Sequence, residues 1–130
     1  MQRVIGLGGI FFKSVDPAKL GAWYRKHLGL EVEDWGGARF LEPALPTEGA
    51  KRESYIVWSP FEADTTYFEP SAKPFMINFR VSDLAALLAQ LKQEGVEVEE
   101  KIDESEFGKF GWLMDPEGNR VELWEPPLAG

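Results

Sequence analysis

The residue types that most often carry enzyme chemistry are scarce in this chain of 130 residues. It contains no cysteine, which excludes disulfides, thiolate metal sites and a cysteine nucleophile. The single histidine, His27, follows Lys26 near the end of a predicted helix, where an exposed position is the simpler interpretation. Five tryptophans are a high count for this length. They either pack in a core or a dimer interface, or form an aromatic slot for a flat or cationic ligand.

The formal net charge of −8 limits the partners. An acidic surface repels phosphate backbones and anionic lipids, so we expect neither nucleic acid nor membranes as partners. The same field would concentrate cationic small molecules, although solubility alone also explains it. Residues 1–9 lack the basic start and long apolar core of a signal peptide. No apolar run approaches the roughly 20 residues of a membrane helix, so we expect a cytoplasmic protein.

An internal repeat must position any functional side chains. Each copy is predicted to contain a strand, a helix and a second strand, with Asp at the helix N-cap and Gly just after the helix. Asp16 and Asp83 are 67 residues apart, and Gly29 and Gly95 are 66 apart. The predicted segments are 10–12, 17–27 and 30–32 in the first copy, and 77–79, 84–94 and 96–98 in the second.

Each copy is predicted to end in two further strands. Trp58 and Trp124 are 66 residues apart, as are Pro60 and Pro126, which aligns the two closing strands. Two such units side by side would enclose a cavity between their open sheet faces. The predicted strands are 38–41 and 55–60 in the first copy, and 112–114 and 121–124 in the second, with a turn at 115–119, a long loop at 42–53 and a linker at 61–74.

Three stretches resemble the glyoxalase/bleomycin-resistance/dioxygenase (vicinal oxygen chelate) superfamily. They are GGIFFKSVDPAKLGAWYRKHLGLEV (8–32), FMINFRVSDLAALLAQLKQEGVEV (75–98) and DPEGNRVELWEP (115–126). The resemblance implies an α+β fold in which two tandem βαβββ modules form a curved mixed sheet that encloses a cavity. One domain would cover residues 1–130, with repeat 1 at about 5–60 and repeat 2 at about 75–127. The superfamily includes isomerases, dioxygenases, thiol transferases and drug-sequestering proteins, so the resemblance predicts the fold more strongly than the function.

The resemblance also implies four metal-ligand positions, on the first and last strands of each repeat. By position in the motifs they fall on Gly9, Ile56, Met76 and Glu122. Glycine has no side chain, isoleucine has no donor atom, and the soft thioether of methionine suits divalent zinc, nickel or iron poorly. Glu122 alone keeps a usual ligand type. We therefore predict no metal and no cofactor, and the metal-dependent mechanisms of the superfamily would lose their Lewis acid.

Strand alternation assigns further side chains to the face that carries those four positions. The predicted ligand-binding residues are Phe11, Lys13, Ile56, Trp58, Met76, Asn78, Arg80, Trp112, Glu122 and Trp124. An apolar lining with a few polar groups is typical of a small-molecule site. Glu122 is predicted to be either a structural carboxylate neutralised by Lys13, Arg80 or Arg120, or a catalytic proton acceptor or cation anchor with a tuned pKa.

The sequence leaves more than one function open and does not decide whether the chain is an enzyme. The first hypothesis is a metal-free homodimer that binds a small aromatic or cationic organic molecule in its sheet cavity, as the resemblance implies. The second is a metal-independent lyase or isomerase in which Glu122 works with Lys13 or Arg80 as an acid–base pair. The third is a metal-dependent glyoxalase- or dioxygenase-type enzyme whose ligands lie at other positions.

Overall fold

A computed structural model describes residues 2–41 and 55–128 of the chain. The predicted loop at 42–53 lies outside the described residues. The described chain contains seven strands and two helices. They are β1 (Val4–Ser14), α1 (Pro17–Leu28), β2 (Ala38–Leu41), β3 (Tyr55–Glu62), β4 (Phe75–Val81), α2 (Leu84–Gln93), β5 (Asp103–Ser105), β6 (Gly108–Met114) and β7 (Arg120–Glu125).

The strands form one mixed sheet in the order β2-β3-β1-β4-β7-β6-β5. At its centre β1 and β4 pair antiparallel. On either side β1 pairs with β3, and β4 with β7, in parallel. The sheet curls into a half-barrel with two helices, which confirms the predicted α+β fold with a curved mixed sheet.

Both helices begin where the sequence predicts. Asp16 and Asp83 cap them, each accepting a hydrogen bond 3.1 Å long through Oδ1 from the backbone N–H three residues later. Gly29 ends α1 in the left-handed conformation, with φ of 72°. Neither cap depends on tertiary packing, which is why sequence spacing alone locates the helices.

Two predicted strands are not regular strands. Residues 30–32 pair with no neighbouring strand of the described chain, and the carbonyl of Val32 accepts a hydrogen bond from the Arg25 guanidinium of α1. Residues 96–98 form only an isolated bridge between Val98 and Leu113. Conversely, β5 is a strand that the sequence did not predict, since its three residues are polar and exposed. It pairs with β6 at the edge of the sheet.

The helices cover the outer face of the sheet, and the inner face remains for a site. Leu84 and Leu88 of α2 pack with Val81 and Leu123 in one apolar core. On α1, the ring of Tyr24 lies 4.7 Å from that of Trp58 on β3. No helix in the described parts of the chain is long and apolar enough to cross a membrane.

Candidate functional site

The inner face of the sheet is organised in rows of paired residues, because partners on adjacent strands project to the same side. One row runs from Glu122 on β7 through Asn78 on β4 and Gly9 on β1 to Val57 on β3. Trp112 on β6 pairs with Glu122 and extends the row. The side chains that the sequence assigned to one face of β1, β4 and β7 therefore do share it.

Glu122 lies at the centre of a buried polar cluster with 1% of its surface exposed. Its Oε2 accepts hydrogen bonds from the Tyr67 hydroxyl at 2.5 Å and from Trp112 Nε1 at 2.9 Å. Its Oε1 accepts a hydrogen bond from Asn78 Nδ2 at 2.7 Å. Three neutral donors thus satisfy the carboxylate, and each in turn finds its partner there.

Burial raises the pKa of Glu122 above its ordinary value of 4.5, and the three hydrogen bonds and the charge of Arg120 offset only part of this effect. The predicted neutralising cation acts from a distance. Arg120 donates to the Glu99 carboxylate at 2.7 Å and lies over the Trp112 ring, 4.7 Å from its centroid. The charge of Arg120 therefore lowers the pKa of Glu122, while the hydrogen bonds to Glu122 come from neutral groups.

We expect the stability of the protein to fall as pH rises from about 4.5 through the pKa of folded Glu122. Because that pKa is raised, the native state holds more protons than the unfolded chain across this window, and raising the pH then favours unfolding. Glu122→Gln should remove this dependence, so the variant should gain in melting temperature relative to the wild type between pH 5 and pH 8. Thermal unfolding at several pH values measures this, with the exposed Glu104→Gln as a control. Parallel curves for wild type and Glu122→Gln would contradict the assignment.

Tyr67 is the member of the polar cluster that sequence reasoning missed. It lies in the segment treated as a linker between the halves, yet its hydroxyl reaches Glu122, 55 residues along the chain. Its ring stacks on Phe61 at 5.6 Å and meets Trp112 edge-on at 6.5 Å. Burial and the neighbouring carboxylate raise the pKa of Tyr67, so it remains a hydroxyl donor. No motif marks this contact, although an aromatic-rich linker was a signal that it packs.

Beside the polar cluster, the inner face carries a pocket of about 370 Å³. Aromatic side chains from several elements dominate its wall, and Arg39 is its charged member. The described residues that line it are Gly8, Phe11, Trp35, Arg39, Tyr55, Val57, Asn78, Phe107, Phe110 and Trp124. The Phe110 and Trp124 rings lie parallel, 6.2 Å apart, and the Tyr55 ring tilts against Trp124 at 5.1 Å. Such a volume and lining fit a small flat organic molecule.

Comparison with known proteins identifies the family. The sequence profile of the family described as "Glyoxalase-like domain" matches residues 9–124. The chain belongs to the glyoxalase-like domain family. This confirms the resemblance seen in the sequence. No curated protein matches the chain.

Solved structures of the superfamily share the fold of this glyoxalase-like domain. Methylmalonyl-CoA epimerase from Mycobacterium tuberculosis is 20% identical with a TM-score of 0.61, covering 95% of this chain and 89% of that one. A variant of the epimerase from Streptomyces coelicolor is 18% identical with a TM-score of 0.65, covering 98% and 100%. A superfamily member from Vibrio splendidus is 13% identical with a TM-score of 0.57, covering 96% and 99%. At these identities the likeness establishes the fold alone.

The inner face of this glyoxalase-like domain does not fit a metal ion at the positions that the superfamily implies. The Phe11 ring fills the space above Gly9, since a Cβ on Gly9 would lie 2.8 Å from Phe11 Cε1. Met76 is fully buried and packs with Phe11, Phe68 and Trp112. No group of three or more potential acidic, histidine or cysteine ligands occurs within residues 2–41 and 55–128. Glu122 thus faces donors and rings, and a cation there would have to displace them.

The fourth metal-ligand position corresponds to Ser59, and the assignment to Ile56 was wrong. Ile10 pairs with Trp58 in the first half, whereas the matching Ile77 pairs with Val121 in the second. The residue that occupies the place of Glu122 is therefore Ser59. The same register places Ile56 and Trp58 on the outer face, where Trp58 packs against Phe12 and Tyr24. These two predicted ligand-binding residues lie away from the pocket.

The other predicted site residues divide into three groups. Phe11, Asn78 and Trp124 line the pocket. Met76, Trp112 and Glu122 are buried and do not line it, although Met76 and Trp112 pack in one apolar cluster with the lining residue Phe11. Lys13 and Arg80 lie on the inner-face rows but not among the lining residues. The Arg80 side chain donates through Nε to the Leu7 carbonyl at 3.2 Å. The other lining residues were absent from the predicted ligand-binding set: Gly8, Trp35, Arg39, Tyr55, Val57, Phe107 and Phe110.

Proposed function

We propose that this glyoxalase-like domain binds a small, flat aromatic molecule in the inner-face pocket, without a metal ion. The observation that carries the proposal is the wall of the pocket, in which six of the ten described lining residues are aromatic. Rings at these separations favour stacking and edge-to-face contacts with a planar guest. A volume of about 370 Å³ lies at the small end of ligand pockets, which favours ligands of one to three fused rings.

The charge at the pocket favours neutral aromatic ligands over cationic ones. The Arg39 guanidinium lies 5.4 Å from the centre of the Tyr55 ring and already occupies that ring's cation-binding side. It also forms two hydrogen bonds to the exposed Glu33 carboxylate, at 2.9 and 3.1 Å. Of the sequence-based alternatives, an aromatic ligand therefore has more support than a cation, despite the acidic net charge.

The contacts of Glu122 support a structural role over an acid–base role. A proton carrier needs hydrogen-bond access to its substrate. Glu122 is 1% exposed, does not line the pocket, and accepts three protein hydrogen bonds through its two oxygens. We infer that the domain acts first as a binding protein. The homodimer and the cytoplasmic location expected from the sequence stay predictions.

A thermal-shift screen of metal-stripped protein tests the proposal. We expect planar aromatic compounds to raise the melting temperature by several degrees, because a ligand at about 100 times its dissociation constant adds about 2.7 kcal/mol to the free energy of unfolding. Parallel arms contain quaternary ammonium compounds and the divalent ions of zinc, nickel, manganese and iron. A shift confined to the metal arm would overturn the proposal and favour a metalloenzyme with ligands elsewhere.

A further inference from the structure

We propose that the pocket selects ligands carrying an N–H or O–H donor, which the side-chain carbonyl of Asn78 accepts. This inference rests on the proposed function and narrows its ligand class to aromatic heterocycles with an N–H group and to phenols. Its evidence is the position, orientation and unmet hydrogen-bonding capacity of one side chain on the pocket floor.

Asn78 brings a polar group into an otherwise apolar part of the wall. It is 2% exposed, lies on β4 and lines the pocket together with Gly8. Its Oδ1 is buried and accepts no hydrogen bond from the described residues, so a ligand donor reaches it only by inserting between Asn78 and the neighbouring wall of the pocket. That oxygen lies directly over Gly8, where a Cβ would come within 2.0 Å of it. The absence of a side chain on Gly8, in this β-bulge, therefore makes room for Oδ1.

Glu122 fixes which end of the Asn78 amide lies over Gly8, a lining residue of the pocket. When Glu122 is ionised, both carboxylate oxygens are acceptors, and Oε1 takes its hydrogen bond from Asn78 Nδ2. Turning the amide over would set Asn78 Oδ1 against Glu122 Oε1, two acceptors with no proton between them. Tyr67 and Trp112 hold the carboxylate through Oε2, so it cannot rotate away without losing their hydrogen bonds. Glu122 is thus a positioning residue that acts through Asn78.

The other polar groups at the pocket are already engaged. Trp124 Nε1 donates to the Phe107 carbonyl at 2.7 Å. Arg39 is held by Glu33 and lies against Tyr55 near the outer strands. A buried acceptor without a donor costs free energy that a ligand donor recovers on binding. The recognition of a ligand's polar group at the floor therefore falls to Asn78.

Three bicyclic probes of nearly equal shape test the inference: indole offers an N–H donor, indene offers no polar group, and benzofuran offers only an acceptor. Isothermal titration calorimetry at pH 8 measures their binding, because indole itself fluoresces where the tryptophans of the pocket do. We expect the wild type to bind indole about tenfold more tightly than indene or benzofuran, the effect of one net hydrogen bond at the upper end of its usual range. In Asn78→Leu the three dissociation constants should agree within about twofold.

Glu122→Gln provides a second variant that keeps the shape of the cluster. The glutamine amide offers an N–H to Asn78, which allows the Asn78 amide to turn and present its own N–H to the pocket. We expect the preference for indole over benzofuran to fall at least about threefold, a change that a purely structural role of Glu122 would not produce. Equal binding of indole and indene by the wild type would overturn the inference but leave the proposed function standing. Failure of every aromatic probe to bind would overturn both.

Discussion

Replacing Glu122 with leucine is expected to lower the free energy of unfolding by at least about 3 kcal/mol. The substitution leaves the Tyr67 hydroxyl, Asn78 Nδ2 and Trp112 Nε1 without their acceptor in a buried site. Each buried donor without a partner costs about 1–3 kcal/mol. The loss is a large fraction of the roughly 5–15 kcal/mol that stabilises a typical domain.

The Glu122→Leu result is measured by urea unfolding at pH 7, with the exposed Glu117→Leu as the matched control. Glu117 lies in the turn between β6 and β7, so the control makes the same chemical change without burial. Wild-type stability in Glu122→Leu would mean that water reaches the three donors. The cluster would then be a wet site with room for an ion or substrate, and the structural role of Glu122 would be wrong.

The sequence predicted the central strands well because local rules decide them. The Asp caps and the glycine after α1 set where the helices begin and end, and two-residue alternation then assigned one face of β1, β4 and β7 correctly. Phe11, Asn78, Glu122 and Trp124 were therefore found on the correct face without any tertiary information.

The error on β3 shows what the sequence could not decide. Aligning Trp58 with Trp124 assumed a spacing of 66 residues, whereas the pairing of Trp58 and Val121 with equivalent isoleucines gives 63. Because the difference of three is odd, every side chain of β3 changed face, and Ile56 and Trp58 were assigned to the wrong side. Strand register depends on hydrogen bonding across the sheet, which no single strand encodes.

Long-range contacts explain the remaining omissions. Tyr67 reaches Glu122 from the segment between the halves, and Trp35 reaches the pocket from the turn after α1. Each position depends on how two distant segments pack, so neither periodicity nor a motif marks it. The partners of Glu122 differ from the prediction for a related reason: Arg120 acts only through its charge, and neutral donors from β4, β6 and the linker form the hydrogen bonds to the carboxylate.

Enlarging Val57 to tryptophan is expected to weaken binding of the aromatic ligand by on the order of 100-fold or more, since ligands of this kind need most of the pocket volume. Val57 lies on β3 in the row of Gly9 and Asn78 and lines the pocket. The larger side chain can occupy space that is open in the fold, so the melting temperature should change by only a few degrees, within the range of about 1 kcal/mol. A loss of ligand binding by Val57→Trp can therefore be distinguished from a loss of folding.

Phe40→Trp supplies the matched control for Val57→Trp. Phe40 lies on the neighbouring strand β2 and pairs with Ile56, which places it on the outer face, and it is 47% exposed. The control introduces the same indole ring within one strand of the pocket but outside it. It should bind ligand as the wild type does.

Isothermal titration calorimetry of these three proteins, metal-stripped and with a chelator present, tests the central claim most directly. The ligand is the aromatic compound that gives the largest thermal shift. We expect one ligand to bind per wild-type chain, the chelator to change nothing, and Val57→Trp alone to lose binding. Undiminished binding by Val57→Trp, or binding that appears only after a divalent ion is added, would contradict a metal-free aromatic site on the inner face of the sheet.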